Sequence, residues 1–309
     1  MILIFGGSGF IGTHFTNYLL KKKINFTVVI NNKKKLTKNS YIINKFDYNN
    51  INNAIVKFKP KVIINLHGQT DIYQSFENPS YDLSHNVFIS VNILQSIKNN
   101  NFKSAYIFVG TATQVGFTNI NKPIDMNYHS NPLTIFDLNK QYIENFINLY
   151  KNEYNIKATT IRLANVIGDG KSRSDNRGIM NKIIIQAIKT NNVYVYGNGN
   201  FIRDFIHIED VVKSFWLICK NIKKLNDPYY YVCSGVGISF INVIKMIKKV
   251  LSDEYNINVN IYKKKWPRSI NLIEKRSFVG NNRSLFKVLN WKPEPININS
   301  ISKLIKKII

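Results

Sequence analysis

The first 22 residues combine three patterns of apolar and polar positions. Residues 1–5 form a short apolar run, which predicts a buried strand by its length and its glycine boundary. Residues 6–12 are rich in glycine, and residues 10 to about 22 place apolar side chains at helical spacing. The order of these segments predicts a strand, a tight turn and a helix.

Similar units follow along the first half of the chain. Apolar runs of strand length occur at residues 26–30, 41–46, 62–66, 105–109 and 158–163. Segments with helical spacing lie between them, at residues 51–58, 79–98 and about 131–154. Repeated strand–helix units predict an α/β fold with a Rossmann-type, doubly wound parallel sheet.

The pattern loosens after Asn165, where a polar stretch precedes a predicted helix at about residues 178–189. We therefore predict two unequal domains. The larger spans residues 1–167 and binds a dinucleotide, and a segment near residues 203–232 returns to it. The smaller C-terminal domain, residues 168–309, mainly binds the substrate.

The glycine-rich turn has the residue types that a phosphate-binding turn requires, in the order Gly6-Gly7-Ser8-Gly9-Phe10-Ile11-Gly12. Gly6 permits a tight turn, Gly9 lets backbone N–H groups approach a pyrophosphate, and Gly12 lets the helix pack closely on the strand. An anion at this place also lies at the positive end of the helix dipole. The turn predicts a dinucleotide site formed by these residues, including Ser8, Phe10 and Ile11.

The end of the second predicted strand leaves the choice of dinucleotide open. An acidic residue usually binds the adenosine ribose there, but this chain has Asn31 followed by Asn32 and then Lys33 to Lys35. Asn31 can hydrogen-bond a ribose hydroxyl, whereas the lysines suit a 2′-phosphate. Asp47, after the third predicted strand, either accepts from the adenine amino group or is an ordinary loop residue.

The net charge adds a question about partners, because 43 Lys and Arg outnumber 18 Asp and Glu, for a formal net charge of +25. Such a chain suits nucleic acid, an anionic membrane surface or phosphorylated small molecules. The lysines are scattered along the sequence, and it contains no helix-turn-helix, zinc-finger or aromatic RNA-binding motif. We expect most of the excess to be solvated lysine and the ligands to be anionic small molecules, not nucleic acid.

Two further features narrow the class of protein. No apolar run reaches the roughly 18 to 20 residues of a membrane-spanning helix, and no basic segment precedes an apolar one at the N-terminus. Cys219 and Cys233 are the only cysteines, without metal-ligand spacing, and the five histidines are unclustered. We expect a cytoplasmic protein with core thiols, no membrane insertion and no metal site.

Several short motifs recur in the order and spacing of one known family. After the glycine turn they are Asn65-Leu66-His67-Gly68-Gln69-Thr70, Asn86-Val87, Thr111, Lys140, Arg162-Leu163-Ala164-Asn165-Val166 and the segment from Tyr196 to Phe205. With these motifs the chain resembles, over nearly its whole length, the extended short-chain dehydrogenase/reductase family of nucleotide-sugar epimerases, dehydratases and reductases. The resemblance implies NAD as cofactor, with NADP still open, and a nucleotide-diphosphate sugar as substrate.

The family resemblance also implies which residues contact the ligands. Cofactor contacts fall on Leu66, His67, Gly68, Asn86 and Lys140, in addition to the glycine turn, Asn31 and Asp47. Substrate contacts fall on Thr111, Asn165, Gly178, Arg203, Arg268 and Glu274. Asn165 and Arg203 correspond to residues that bind the substrate diphosphate, although a salt bridge from Arg203 to Asp204 or Glu209 is the structural alternative.

The family's proton acceptor is missing from its usual position. Members of the family use a Tyr-x-x-x-Lys helix, in which the Tyr takes the hydroxyl proton, a Ser or Thr binds the same oxygen, and the Lys lowers the Tyr pKa. Here the segment reads Phe136-Asp137-Leu138-Asn139-Lys140. Three explanations stay open: a catalytically dead regulator, a water held by Thr111 and Lys140, or a substitute acceptor among Tyr73, Tyr128, His129 and His67.

The residues after Thr111 bear on the type of reaction. Family dehydratases carry an Asp-Glu pair there, whereas Ala112 and Thr113 follow in this chain, which argues against dehydration. Oxidation or reduction at sugar C4, or 4-epimerisation, remains. The Phe also resembles a narrower group, dehydrogenases of bacterial capsule polysaccharide pathways that oxidise C4 of GDP-D-glycero-α-D-manno-heptose. We therefore expect a nucleotide-sugar dehydrogenase, with an epimerase and a non-catalytic dinucleotide-binding regulator as alternatives.

The resemblance further implies a homodimer. In the family, helices corresponding to residues 79–98 and 131–154 pair across a two-fold axis into a four-helix bundle. Ile143, Phe146, Ile147 and Tyr150 recur at helical spacing and serve either the core or that interface, with the core favoured for most of them.

Overall fold

The centre of the protein is a parallel sheet of seven strands. The computed structural model describes residues 1–31, 38–118, 122–170, 178–267 and 272–309. The strands are β1 (Ile2–Phe5), β2 (Phe26–Ile30), β3 (Ser40–Ile42), β4 (Val62–Asn65), β5 (Ala105–Thr111), β6 (Ala158–Leu163) and β10 (Tyr229–Val232). Their order is β3-β2-β1-β4-β5-β6-β10, and every neighbouring pair is parallel. This arrangement confirms the predicted doubly wound α/β fold.

Helices cover both faces of this sheet, and side chains alternate between two apolar cores. Ile2 and Ile4 of β1 point into one core, while Leu3 and Phe5 point into the other. The helices around the sheet are α1 (Phe10–Lys21), α2 (Tyr48–Phe58), α3 (Ile72–Glu77), α4 (Pro79–Leu83), α5 (Ile89–Asn99), α6 (Ile135–Tyr154), α8 (Ile208–Asn221) and α10 (Arg283–Leu289).

Several predicted element boundaries are wrong, and three of them have a clear local reason. The predicted strand at 41–46 ends at Ile42, because the chain turns there to reach Asp47, which caps α2. The predicted helix at 79–98 is α4, a π-helical turn at Ser84–Phe88 and then α5. The third predicted helix begins at Ile135 and not near residue 131, because the Thr134 side chain accepts the N–H of Asp137 and caps α6.

A second group of elements forms a smaller body with its own apolar core. It contains α7 (Ile179–Thr190), α9 (Phe240–Tyr255), α11 (Ile298–Ile308) and the strands β7 (Asn165–Ile167), β8 (Asn192–Tyr196), β9 (Ile202–His207), β11 (Gly237–Ser239) and β12 (Asn260–Lys264). The strands form a three-stranded sheet, β11-β9-β7, and a two-stranded sheet, β12-β8.

The chain leaves the large sheet after β6 and returns to it at β10. Between these strands, β9 belongs to the three-stranded sheet, whereas α8 packs against α1, with the rings of Phe215 and Phe15 at 5.8 Å. Strand β10 then pairs with β6 at the edge of the large sheet. The segment at residues 203–232 therefore contributes to both bodies.

The long helix α6 separates core from surface along its length. Ile143 and Ile147 are fully buried, and the half-buried Phe146 and Tyr150 pack against the same core. In the described parts of the chain, no helix combines the length and the apolar character that crossing a bilayer requires.

Candidate active site

The glycine turn between β1 and α1 is shaped by close backbone approaches. Gly6 has a φ of +78°, and a side chain there would clash with the backbone of Leu66 and His67, at the end of β4. A side chain at Gly12 would clash with the Gly6 carbonyl oxygen and lie 2.6 Å from the Cα of Gly7. The turn thus lies against both α1 and the Leu66–His67 backbone.

The N-terminus of α1 is open to a ligand. Gly9 is its N-cap in an extended conformation, and no side chain caps the helix. A Cβ at Gly9 would lie 3.5 Å from the Gly6 carbonyl oxygen, which is an ordinary van der Waals contact. The fold therefore does not require glycine at this position, but glycine leaves more room for a ligand. Exposed N–H groups and the helix dipole make this turn suited to a pyrophosphate, with Ser8, Phe10 and Ile11 beside it.

Asn31 and Asp47 are the two predicted cofactor residues that follow strands β2 and β3. Asn31 is exposed directly after β2, and Lys33 to Lys35 lie outside the described residues. The carboxylate of Asp47 accepts the backbone N–H of Asn50 at 2.9 Å, and that bond lowers the Asp47 pKa. Asp47 is therefore the N-cap of α2, a role that the sequence pattern did not predict for it. It is still partly exposed, and its contact with adenine stays a prediction.

Lys140 is a buried cation among aromatic rings. Its Nζ lies 5.1 Å from the ring centre of Phe108 and 5.4 Å from that of Phe136, and a Cβ at Gly68 would lie 3.0 Å from it. No ion pair to Lys140 is found in the described chain. Burial lowers the pKa of Lys140 to about 8, and Asp82 opposes this shift.

The π-helical turn brings a polar pair next to Lys140. The Asn86 amide donates to the Gln69 carbonyl at 3.2 Å and to the Asp82 carboxylate at 3.1 Å, while Asn139 also donates to Asp82. The Asn86 Oδ1 and one Asp82 oxygen are buried and have no hydrogen-bond partner within the described part of the chain. Asn86 therefore holds a buried acceptor without a hydrogen-bond partner next to Gly68, which lines the cleft.

A row of hydroxyl groups runs from the end of β5 to the first turn of α6. The Thr111 and Thr113 hydroxyl oxygens are 2.9 Å apart, and the Thr113 hydroxyl donates to Asp137. The other Asp137 oxygen accepts from the Thr134 hydroxyl at 2.8 Å. Asp137 is fully buried, and burial raises its pKa.

Phe136 directly precedes Asp137 in the chain, and its ring centre lies 5.4 Å from the Lys140 Nζ. It is 7% exposed, and its backbone N–H donates to the Ser75 hydroxyl at 3.3 Å. Of the predicted substitutes for the missing Tyr, His67 and Tyr73 line the cleft that is described in the next paragraph. The Tyr128 hydroxyl donates to the Phe117 carbonyl at 3.0 Å, and His129 is exposed.

A cleft of about 1490 Å³ lies between the two bodies. One wall comes from the segment after β4, including His67 and Gly68. The other wall includes Asn165, Gly178 and Arg203. Of the predicted cofactor residues, His67 and Gly68 therefore line the cleft, together with Asn165, Gly178, Arg203 and Glu274 of the predicted substrate residues. Thr111 and Lys140 do not line it and lie behind its surface.

Arg203 is held by backbone carbonyl groups. It donates to the Arg276 carbonyl and, at 2.7 Å, to the Glu274 carbonyl, and its guanidinium lies 4.6 Å from the Phe201 ring centre. Burial and the neighbouring Arg276 lower the pKa of Arg203 to about 9. The alternative salt bridge to Asp204 is wrong, because Asp204 instead accepts N–H groups of Ser234, Gly235 and Gly280. The bridge to Glu209 is also wrong, since Glu209 pairs with Lys307.

Arg276 is a cleft residue that sequence reasoning missed. Its side chain is 7% exposed and lines the cleft beside Arg203, and burial lowers its pKa. Neither guanidinium is in an ion pair within the described chain, so the two leave positive charge that favours an anion. Arg268 lies outside the described residues, so only Glu274 of the last two predicted contacts is seen, at the cleft wall.

The remaining predicted substrate residues and an aromatic wall complete the cleft. The Asn165 amide donates to the Asp204 carbonyl at 3.3 Å, and Gly178 caps α7 with a φ of +118° and open space around it. The rings of Tyr196 and Trp266 stack at 5.3 Å and face the cleft, a surface that suits a planar base. Over the described ranges, no group of three His, Cys, Asp or Glu is arranged to hold a metal ion.

Comparison with known proteins identifies the family and the fold. The model of the NAD dependent epimerase/dehydratase family matches residues 2–233. A putative UDP-glucose 4-epimerase of Methanocaldococcus jannaschii is 29% identical over 242 residues, which cover 77% of each chain.

Two solved structures share the fold over almost the whole chain. A UDP-glucose 4-epimerase of Thermotoga maritima, crystallised with UDP-glucose, is 21% identical with a TM-score of 0.86 and covers 99% of this chain and 97% of its own. A UDP-glucose 4-epimerase of Thermus thermophilus, in complex with NAD, is 20% identical with a TM-score of 0.82 and covers 99% and 98%. At these identities, the likeness establishes the fold alone.

Proposed function

The chain belongs to the NAD dependent epimerase/dehydratase family, and on that premise we propose that it is a dehydrogenase that oxidises C4 of a nucleotide-diphosphate sugar. The observation that carries the proposal is the shared cleft. Gly68 in one wall lies against Lys140, which packs on the ring of Phe136, and the buried pair Arg203 and Arg276 lies in the other wall. A sugar between these walls would place its diphosphate at the arginines and a ring hydroxyl toward Thr111.

The residues around the glycine turn fit an NAD molecule. Gly9 leaves space at the N-terminus of α1 for a pyrophosphate, and the side chains of Lys140 and Asn86 present a donor and a free acceptor for ribose hydroxyls. When bound, NAD⁺ supplies the acceptor for the hydride that leaves C4. The family is NAD-dependent, and NADP stays open for this chain because Lys33 to Lys35 suit a 2′-phosphate.

Each residue near Phe136 has a separate task in the proposed reaction. In this proposal the Thr111 hydroxyl binds the C4 hydroxyl oxygen, which becomes the carbonyl oxygen, and the Lys140 ammonium supplies positive charge to the site. Phe136 keeps water out of the space beside Lys140 without offering a proton acceptor. The proton therefore leaves by a route other than residue 136.

A GDP-linked heptose is the first substrate to test, in the biosynthesis of a bacterial surface polysaccharide. This choice is supported by Phe136, which the narrower group of capsule-pathway dehydrogenases also carries. The stacked Tyr196 and Trp266 suit any nucleobase, so UDP-, dTDP- and CDP-linked sugars belong in the same panel.

A 4-epimerase is the second candidate, favoured by the relatives named as UDP-glucose 4-epimerases. Both reactions begin with oxidation at C4 and differ in the fate of the hydride. A dehydrogenase releases the 4-keto sugar and leaves the nicotinamide reduced, whereas an epimerase returns the hydride and leaves no net reduction.

The test incubates the purified protein with NAD⁺ and each nucleotide sugar, and follows nicotinamide absorbance together with the sugar product by mass spectrometry and NMR. Reduction in step with a 4-keto sugar supports the dehydrogenase, and a C4 epimer without net reduction supports the epimerase. Phe136→Tyr is assayed in parallel with Phe136→Leu, which changes the ring without adding a hydroxyl. If the wild type and both variants bind the cofactor without turnover, the dehydrogenase and the epimerase are both contradicted. The non-catalytic dinucleotide-binding regulator is then the alternative that remains.

A further inference from the structure

The proton from the oxidised hydroxyl needs an acceptor, and Phe136 has none. We propose that Thr113 and Asp137 accept this proton through Thr111, as a buried relay that replaces the missing tyrosine. The inference rests on the proposed function, since it concerns the proton released at the same sugar carbon. It assigns Thr113 and Asp137 a role through Thr111 and not a contact with the sugar.

The geometry of the relay is continuous. The Thr111 and Thr113 hydroxyl oxygens lie 2.9 Å apart, within ordinary hydrogen-bond distance, and the Thr113 hydroxyl donates to Asp137. Thr111 ends β5 and Thr113 lies in the short 3₁₀ turn that follows, whereas Asp137 lies in the first turn of α6. Two separate elements therefore converge on this one chain of oxygens.

A helix cap alone does not account for Asp137. Capping of α6 uses the Thr134 hydroxyl, which accepts the Asp137 N–H at 3.0 Å and donates to one carboxylate oxygen. The other oxygen accepts from Thr113, which lies 24 residues earlier in the chain. The carboxylate thus faces the end of β5 with an oxygen that the cap does not need.

The surroundings of Asp137 suit a proton acceptor. Burial raises its pKa, so its carboxylate is more basic than that of an exposed aspartate. The hydroxyls of Thr113 and Thr134 and the charge of Arg276 lower the pKa in turn, and the charge of Asp82 raises it slightly. With its pKa raised, the Asp137 carboxylate accepts a proton more readily than an exposed aspartate does.

The step balances without a further reactant beyond the nicotinamide dinucleotide. The sugar O–H bond breaks and its proton passes to the Thr111 oxygen, while the Thr111 proton passes to Thr113 and the Thr113 proton passes to Asp137. The electron pair of the O–H bond forms the C4 carbonyl, and the C4 hydride leaves to NAD⁺. Both threonine hydroxyls are regenerated, and Asp137 ends as a carboxylic acid.

The decisive experiment measures kcat for Thr113→Val and Asp137→Asn in two backgrounds, the native Phe136 and Phe136→Tyr. In the native background each variant should lose about tenfold or more of kcat, since positioned acid–base groups contribute roughly 10²–10⁴-fold. In the Phe136→Tyr background the loss should fall below about twofold, because the tyrosine takes the proton directly. Thr134→Val, which removes the cap hydroxyl and leaves the relay, serves as the matched control for stability.

Two readouts separate a relay from a structural role. In the oxidation direction, wild-type kcat should fall as Asp137 becomes protonated at acid pH, and Asp137→Asn should lack that fall. In the cofactor-free protein, carbon-13 NMR titration of labelled aspartate should show a higher Asp137 pKa in Thr113→Val, since a donor to the carboxylate is lost.

Equal losses in the two backgrounds would overturn the relay, because a purely structural role does not depend on residue 136. An unchanged kcat in Thr113→Val would overturn it as well. Absence of turnover in the wild type and in Phe136→Tyr would instead reject the proposed function, and the relay with it. Should Asp137→Asn fail to fold, Thr113→Val decides the outcome, since Thr113 takes no part in the cap.

Discussion

The Nζ of Lys140 lies 5.4 Å from the ring centre of Phe136, one helical turn earlier on α6. A tyrosine at residue 136 would share the ring position and present its hydroxyl near this cation. With phenylalanine there, the ammonium is left among rings, and the negative charge of Asp82 favours its ionised form. The site therefore has the Lys140 cation but has Phe136 in place of the family's tyrosine.

Lys140→Met should stabilise the fold at neutral pH and weaken NAD binding. Burial lowers the pKa of Lys140 from 10.5 to about 8, so between these values the unfolded chain binds more protons than the folded one. Below pH 8 the native protein therefore bears the full cost of the buried charge, at most about 3 kcal/mol. As the pH rises from 8 to 10.5 this cost is relieved.

Urea unfolding as a function of pH measures this difference. The stability gain of Lys140→Met should be largest at pH 7 and should shrink toward pH 10.5. Lys189→Met, at an exposed lysine, should show no such trend. A gain that is constant with pH would mean that packing, and not charge, is responsible.

Gly9→Ala and Gly12→Ala should fail in different ways. An alanine Cβ at Gly12 clashes with the Gly6 carbonyl oxygen, so this variant should lose roughly 2 kcal/mol or more of unfolding free energy and bind NAD poorly. At Gly9 the nearest atom is 3.5 Å away, so the fold should be intact while the added methyl obstructs the pyrophosphate. Calorimetric titration with NAD and thermal melting, made on both variants, distinguish the two results.

Glu144→Gln should be strongly destabilising. Glu144 accepts two hydrogen bonds from Arg162, at 3.1 and 2.8 Å, and both side chains are buried. Loss of the carboxylate leaves a buried guanidinium without its counter-charge, at a cost of about 3–5 kcal/mol. Asp253→Asn, in the exposed pair with Lys249, should cost less than about 0.5 kcal/mol in the same urea titration.

We expect a homodimer formed by the outer face of α6. Leu138, Tyr142 and Leu149 are each at least half exposed and follow one another at helical spacing on this helix. Tyr142→Glu and Leu149→Glu should give monomers by light scattering coupled to size-exclusion chromatography. Leu20→Glu, at an equally exposed leucine of α1, should leave the mass unchanged.

The sequence predicts the large sheet and the glycine turn because both depend on residue patterns within short segments of the chain. Strand β6 has the predicted bounds, since its apolar run ends where its pairing with β5 ends. The order of Thr111, Phe136 and Lys140 along the chain resembles the family motif, and that resemblance is the basis for the prediction that they share a site. Such features depend on spacing within one element or on the topology that repeated units impose.

The rest of the site depends on contacts between distant segments. Arg276 follows a stretch without a clear pattern. It is placed beside Arg203 by a hydrogen bond from the Arg203 guanidinium to the Arg276 backbone carbonyl, 73 residues later in the chain. Asp137 could have been noticed, since Thr134 three residues before it is a capping signal. The hydrogen bond from Thr113 to Asp137 could not have been predicted, because the sequence patterns of β5 and α6 do not determine how the end of β5 packs against α6.

Because β10 comes from the second half of the chain and pairs with β6, the large body cannot be produced as a fragment of the first half alone. A fragment that ends at residue 167 would contain every glycine-turn residue and Lys140, yet the open edge of β6 would have no neighbour. Exposed edges of this kind recruit other strands and aggregate. Grafting the sugar-binding half of a relative onto this chain therefore requires two splice points, one after β6 and one before β10, with α8 assigned to the recipient.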